Sequence, residues 1–150
     1  MIGLLQRVAQ AQVAVEGAVV ASIGEGALVL VGVEAGDGAR QAERLVERLL
    51  GYRVFADGEG RMNLSLRDVE GELLLVPQFT LAADTGKGTR PSFSSAATAD
   101  AGRTLFERVV VAARSSYPRV ACGHFGADMK VTLTNDGPVT FWLRVPPGPV

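Results

Sequence analysis

The sequence predicts an α+β fold: a single domain on a mostly antiparallel or mixed, barrel-like β-sheet with two main helices packed on it. Three observations lead there. Short apolar or alternating stretches outnumber helical ones, only two segments carry apolar residues at helical spacing, and 150 residues suit one core.

Taken in chain order, residues 2–8 and 12–15 read as strands, and Gly17 breaks the pattern before a third at 19–23. Residues 27–33, ALVLVGV, are continuously apolar and short, which is the mark of a central strand covered on both faces. Four strands therefore precede the first helix, and this points to an antiparallel meander rather than βαβ units. Helical spacing then appears over 39–50, where Ala42, Leu45, Val46, Leu49 and Leu50 share one face. Asp37 is the expected N-cap and Gly51 the expected stop. Arg40, Glu43, Arg44, Glu47 and Arg48 cover the remaining faces as a solvated surface.

Residues 52–55 read as a short strand, with a turn at Asp57-Gly58 and Gly60. The run LLLV at 73–76 is a buried strand that stops at Pro77 and delivers Gln78, Phe79 and Thr80 to a sheet edge. A Gly-rich basic loop with Lys87 and Arg90 follows. Rigid strand, polar tip and mobile loop together are a common way of presenting a site. A second helix is expected over 98–116, its apolar face made by Leu105, Phe106, Val109, Val110 and Ala113, capped by Thr98 and ended by Pro118. Residues 131–133 and 140–145 alternate as strands around Asn135-Asp136-Gly137-Pro138. The domain is expected to span 1–145, with a Pro-rich tail at 146–150 that is extended and poorly ordered.

Composition narrows the function. With 47% hydrophobic and 21% charged residues and a net charge of −1, the chain is neither a disordered segment nor a strongly basic nucleic-acid coat protein. An RNA ligand would have to be held by a local patch. Cys122 is the sole cysteine, so no internal disulfide forms; it fits a reducing compartment and reads as a small buried apolar residue. No targeting signal or apolar span of about 20 residues is visible, which makes a cytoplasmic protein without membrane association the expectation. His124 is the one histidine, and Cys122 with His124 is poor zinc spacing. GxSxG and GxGxxG are absent, and GKGT at 86–89 lacks the first P-loop glycine because position 81 is Leu81. Neither a metal nor a cofactor is expected. Thr80 is a weak nucleophile unless activated, and His124 is the only base suited to neutral pH.

Several stretches together are more specific: LLQRV near the start, LGYRVFAD and MNLS in the middle, QFTLAADTGKGTRPSFS, and FGADMKVTLTNDGPVTFWL. The sequence closely resembles the D-aminoacyl-tRNA deacylase family over nearly its whole length. The resemblance implies a homodimer, with active sites at the subunit interface, that hydrolyses the ester joining a D-amino acid to the 3′-terminal adenosine of tRNA. It extends to glycyl-tRNA mischarged on tRNA-Ala. It also implies that Gly137-Pro138 is cis and enters the partner subunit's pocket, where backbone carbonyls crowd one side of the α-carbon and reject an L-residue.

By the same resemblance, Gln78, Phe79 and Thr80 line the ester pocket, and N–H groups around Phe79 and Thr80 are the oxyanion donors. Thr80 is either the nucleophile or a positioning residue while the ribose 2′-hydroxyl assists water. The missing base favours the second. Phe125 and Met129 match positions in the adenine and amino-acid pocket, with core packing as the alternative. Arg7 matches an arginine that orients the Gly-Pro backbone, with a surface ion pair as the alternative. Lys87 and Arg90 either meet acceptor-stem phosphates or remain solvated. Pro77 departs from the family's Ser-Gln-Phe-Thr and matches a related deacylase that clears L-alanine, so an altered amino-acid choice is the nearest rival. A non-catalytic module that binds the aminoacyl-tRNA end is the rival from another class.

Overall fold

The sheet is built along one long strand, β1 (Ile2–Val15). The computed structural model describes residues 1–149; Val150, the last residue of the tail expected to be poorly ordered, lies outside the described residues. Sequence reading splits β1 in two because its buried positions lose their alternation, falling three apart at Leu5, Val8 and Ala11 before resuming at Val13. The pairing register slips in the same place, between Gln6 and Gln10. A bulge therefore keeps one strand continuous while breaking its alternation.

β2 (Ala18–Ile23) pairs antiparallel with the far half of β1 through a two-residue turn at Glu16 and Gly17, both at positive φ (50° and 80°). That is the turn twist a tight hairpin prefers. β3 (Gly26–Gly32) pairs antiparallel with the near half of β1. α1 (Ala39–Gly51) follows, then a small hairpin of β4 (Phe55–Ala56) and β5 (Met62–Leu64). α2 (Leu66–Val69) leads into β6 (Glu72–Pro77), and α3 (Ala99–Ser116) into β7 (Val120–Cys122). β8 (Met129–Arg144) runs antiparallel along the other edge of β1 for its whole length.

The second half of the sheet differs from the expected meander. β6 pairs parallel with β3, and β7 pairs parallel with β6, so the chain crosses over through α1 and then α3. The continuous apolar runs of β3 and β6 are the physical reason, because strands buried on both faces suit parallel pairing under helices. Their side chains alternate cleanly between two cores. Val29, Val31, Leu73 and Leu75 face α1 and α3 with Leu45, Leu49, Phe106 and Val109. Leu28, Leu74 and Val76 face the other way, against Val8, Val13 and Ile23, inside the curl that gives the sheet its barrel-like shape.

Local signals were corrected in detail. The residue before α1 is Gly38, whose N–H donates to Gln41 Oε1 at 3.0 Å. Asp37 instead accepts the Met1 ammonium at 2.8 Å and the Glu34 N–H at 2.7 Å. Gly51 is the last helical residue, and extended Tyr52 ends the helix. Of 52–55, only Phe55 pairs as a strand. α2 is too short to show a period, although Ser65 accepts the Asp68 N–H as a cap. The expected strands at 131–133 and 140–145 are one strand, β8, which ends at Arg144 and leaves Val145 outside it. Cys122 is half-buried, with Sγ 3.6 Å from Arg114 Nη2. Among the described residues no helix is long and apolar enough to cross a membrane, and no cluster of His, Cys, Asp or Glu is arranged to hold a metal ion.

Candidate functional site

Three parallel strands, β3, β6 and β7, end on the same side of the sheet, and a cavity of about 480 Å³ opens there. Carboxyl ends of parallel strands are where open α/β sheets present ligands, because the chain must splay there to cross over. Val31, Val76, Pro77, Gln78 and Phe79 form one wall. The first turns of α3 form another, through Thr98, Ala99, Gly102 and Phe106, and Phe125 to Ala127 with Met129 form a third. Every lining residue is apolar or carries a neutral amide or hydroxyl; none is titratable.

β6 reaches the cavity in a defined way. The Gln78 N–H donates to Val31 O at 2.8 Å, while the Gly123 N–H donates to Leu75 O at 2.8 Å. Alternate residues of β6 thus face β3 and β7. Pro77 lies on the β7 side just past the end of that ladder, where its missing N–H leaves no bond unmade. A 3-10 turn, Phe79–Ala82, then folds back over β3. Gly32 permits this, since a Cβ there would stand 2.8 Å from Leu81 Cβ. The Leu81 and Ala83 N–H groups bond Gln78 O and Thr80 O, whereas the first two N–H groups of the turn, Phe79 and Thr80, have no acceptor among the described residues.

The expected site residues divide into three groups. Pro77, Gln78, Phe79, Phe125 and Met129 meet at the cavity. Thr80 is exposed just beyond its wall, its Oγ1 accepting from Gln78 Nε2 at 2.5 Å. No basic side chain bonds this hydroxyl, and His124 is exposed away from the lining. Phe79 is 59% exposed and packs against Phe93 with ring centroids 5.2 Å apart.

Gly137 and Pro138, joined by a cis peptide bond, lie outside their own chain's cavity. In the β1–β8 ladder Gln6 opposes Thr140 and Val8 opposes Asn135, so Arg7 faces a bulge of residues 136–139. Asn135 ties the bulge: its Oδ1 accepts the Val139 N–H at 2.7 Å and its Nδ2 donates to Thr140 Oγ1 at 2.9 Å. Arg7 anchors it from β1, donating through Nε to Asp136 O at 2.9 Å and through Nη1 to Val54 O at 2.8 Å. Lys87 and Arg90 stand on an exposed loop pinned at its base by paired backbone bonds between Asp84 and Ser92, and neither forms an ion pair among the described residues.

Sequence reading missed the α3 wall. Thr98 signalled only a cap, and Phe106 only a core position. Gly102 was the available clue, because an isolated glycine in a helix costs about 1 kcal/mol relative to alanine and implies close approach. Here a Cβ would lie 3.3 Å from Phe125 Cζ. The groups with clearly displaced pKa values, Glu34, Asp57, Asp68, Tyr117 and Arg144, all lie outside the cavity. A second depression, about 520 Å³ between α1 and residues 145–149, is lined by Arg44, Glu47 and prolines and holds none of the expected site residues.

The family model described as D-Tyr-tRNA(Tyr) deacylase matches residues 4–144. Proteins called D-aminoacyl-tRNA deacylase from Nitrosococcus oceani and Methylococcus capsulatus are 66% and 61% identical over 147 residues, covering 98% of this chain and 95% and 96% of their own. Among solved structures, a c-Myc DNA Unwinding Element Binding Protein superposes with a TM-score of 0.93 at 36% identity, covering 97% of this chain and 99% of its own. A probable eukaryotic D-amino acid tRNA deacylase shares the fold with a TM-score of 0.80 at 22% identity, covering 95% and 97%.

Proposed function

Because the chain belongs to the D-Tyr-tRNA(Tyr) deacylase family, we propose that it is an ester hydrolase that releases a D-amino acid from the 3′-terminal adenosine of tRNA in the cytoplasm. One observation supports a particular mechanism: the cavity that gathers Gln78, Phe79, Phe125 and Met129 has no titratable side chain in its lining. A protein acid–base pair is therefore missing where the ester would sit, although proton transfer in acyl hydrolysis must go somewhere. The substrate supplies the group. Water attacks the ester carbonyl, its proton passes by way of the vicinal 2′-hydroxyl, and the 3′-oxygen leaves protonated as the ester C–O bond breaks.

The protein's part is to position and to stabilise charge. The unbonded N–H groups of Phe79 and Thr80 suit the developing oxyanion, and donors that need no reorganisation are worth most in a site poor in water. Gln78 orients the Thr80 hydroxyl, while Phe125 and Met129 offer apolar surface to the adenine and the amino acid. The same reading makes the protein a homodimer in which the exposed Gly137-Pro138 bulge, held by Arg7 and Asn135, enters the partner's cavity. Its carbonyls crowd the side of the α-carbon where an L-side chain would project. Glycine passes this filter, so glycyl-tRNA formed on tRNA-Ala is a second substrate. Lys87 and Arg90 attract the acceptor stem.

A 2′-deoxy terminal adenosine tests the mechanism. Single-turnover release of D-tyrosine from that substrate should fall by at least 100-fold; an unchanged rate would overturn the RNA-assisted route. Ester release by purified, metal-free protein separates a deacylase from a module that only binds the tRNA end. Pro77 in the cavity wall favours a second reading, in which the choice of amino acid extends to L-alanine. Parallel assays with D-Tyr-, Gly- and L-Ala-charged tRNA distinguish the two.

A further inference from the structure

Arg103 stands on α3 directly after Gly102, and Gly102 lines the cavity. Its guanidinium carbon lies 4.9 Å from the centroid of the Phe125 ring, and its Nη2 lies 3.5 Å from where a Cβ would project from Gly126. Phe125 and Gly126 line the cavity too. Arg103 is thus a cation on the rim, lying over the ring of a wall residue and outside the lining itself.

Most other arginines are already engaged. Arg44, Arg108 and Arg144 pair with carboxylates, and Arg48, Arg67 and Arg119 donate to backbone carbonyls. Among the described residues Arg103 has neither a carboxylate within ion-pair distance nor a hydrogen-bond acceptor. A guanidinium laid on an aromatic face keeps its planar N–H edges free, in the orientation that suits two oxygens of a phosphate. The uncharged cavity can take a nucleoside and an apolar or aromatic side chain, but it offers nothing to a phosphate. The first anionic group of a substrate seated there must lie outside, and Arg103 is a cation held beside the wall residues Gly102, Phe125 and Gly126.

We infer that Arg103 binds the phosphodiester immediately 5′ of the substrate's terminal adenosine. This rests on the deacylase reading and assigns its substrate a further subsite. Arg103 contributes by fixing where the adenosine enters; the Phe125 stack holds the guanidinium ready before substrate arrives.

The test compares wild-type protein with Arg103→Met, which keeps an unbranched apolar stem against Phe125, and Arg103→Lys, which keeps the charge. Three substrates are used: D-tyrosyl-adenosine, the same compound with a 5′-phosphate, and D-Tyr-tRNA. In the wild type the 5′-phosphate should raise kcat/KM by about tenfold, chiefly through KM, and Arg103→Met should abolish that gain while leaving the phosphate-free substrate within twofold. Arg103→Lys should recover part of it. On D-Tyr-tRNA, the slope of log kcat/KM against log salt should be shallower by about 0.7 in Arg103→Met, the value for one lost single-strand phosphate contact. Equal losses on all three substrates would make Arg103 a support for Phe125 and overturn the subsite, as would no loss on any. Wild-type protein that releases D-tyrosine from none of them would overturn the deacylase reading itself, and the subsite with it.

Discussion

Thr80→Ala separates the two roles open to this hydroxyl by magnitude alone. Thr80 is exposed, and its Oγ1 accepts one hydrogen bond, from Gln78 Nε2. Removing one neutral hydrogen bond costs about 0.5–1.5 kcal/mol, and 1.36 kcal/mol is tenfold in rate. A positioning role therefore predicts a loss of about tenfold or less. Removal of a true nucleophile costs on the order of 10⁴ to 10⁶. The assay is single-turnover deacylation of D-Tyr-tRNA with enzyme in excess, so that product release cannot mask the chemical step. Stability should change by no more than about 0.5 kcal/mol, as at other exposed sites, and a urea titration checks that the variant is folded. A loss beyond about 10³ in a folded variant would refute the substrate-assisted argument and return Thr80 to the centre of the reaction.

Other perturbations follow from the same geometry. Arg7→Ala removes two charge-assisted bonds to backbone carbonyls from a side chain only 16% exposed. Urea unfolding should show a loss of about 2–4 kcal/mol, and hydrolysis of L-Tyr-tRNA should rise relative to D-Tyr-tRNA; unchanged selectivity would sever Arg7 from the 136–139 bulge. Pro77→Ser restores a hydroxyl and a backbone N–H at the cavity wall, and should shift the ratio of L-Ala- to D-Tyr-tRNA turnover downward in paired assays. Burial by itself would raise the Glu34 carboxyl pKa, but hydrogen bonds from Arg144 and the Met1 ammonium, with their charges, hold it below the ordinary value. A depressed folded-state pKa gives stability that is complete above the unfolded pKa of about 4.3 and fades as pH falls through the lower folded value. Urea midpoints from pH 7 to pH 3 should therefore converge for the wild type and Glu34→Gln, and a gap that stays constant with pH would contradict this.

What the sequence by itself determined was whatever depends on near neighbours. Helical spacing located α1 and α3 to within a residue or two, and the apolar runs located β3 and β6. The motifs around Gln78 and Gly137 identified the family, and the residues singled out from them and from HFGADMK include Pro77, Gln78, Phe79, Phe125 and Met129 of the cavity lining, but none of its α3 wall. Where a local signal failed, a distant partner had overridden it. Asp37 forgoes capping α1 because the Met1 ammonium lies within its reach, and β1 stays continuous because β8 pairs along its whole length.

Only the tertiary structure decided that β3, β6 and β7 run parallel. That requires knowing on which side α1 and α3 cross, which depends on where their apolar faces can be buried. This single outcome brings the ends of three strands and the start of α3 together, and so creates a cavity from residues as far apart as Val31 and Val131. It also brings Arg103 onto Phe125, a contact between a helix and a loop 22 positions further along that no periodicity or motif encodes. The neutrality of the lining is likewise a property of the assembled walls, since the chain carries 31 acidic and basic residues, 16 and 15, and folding leaves all of them outside the lining.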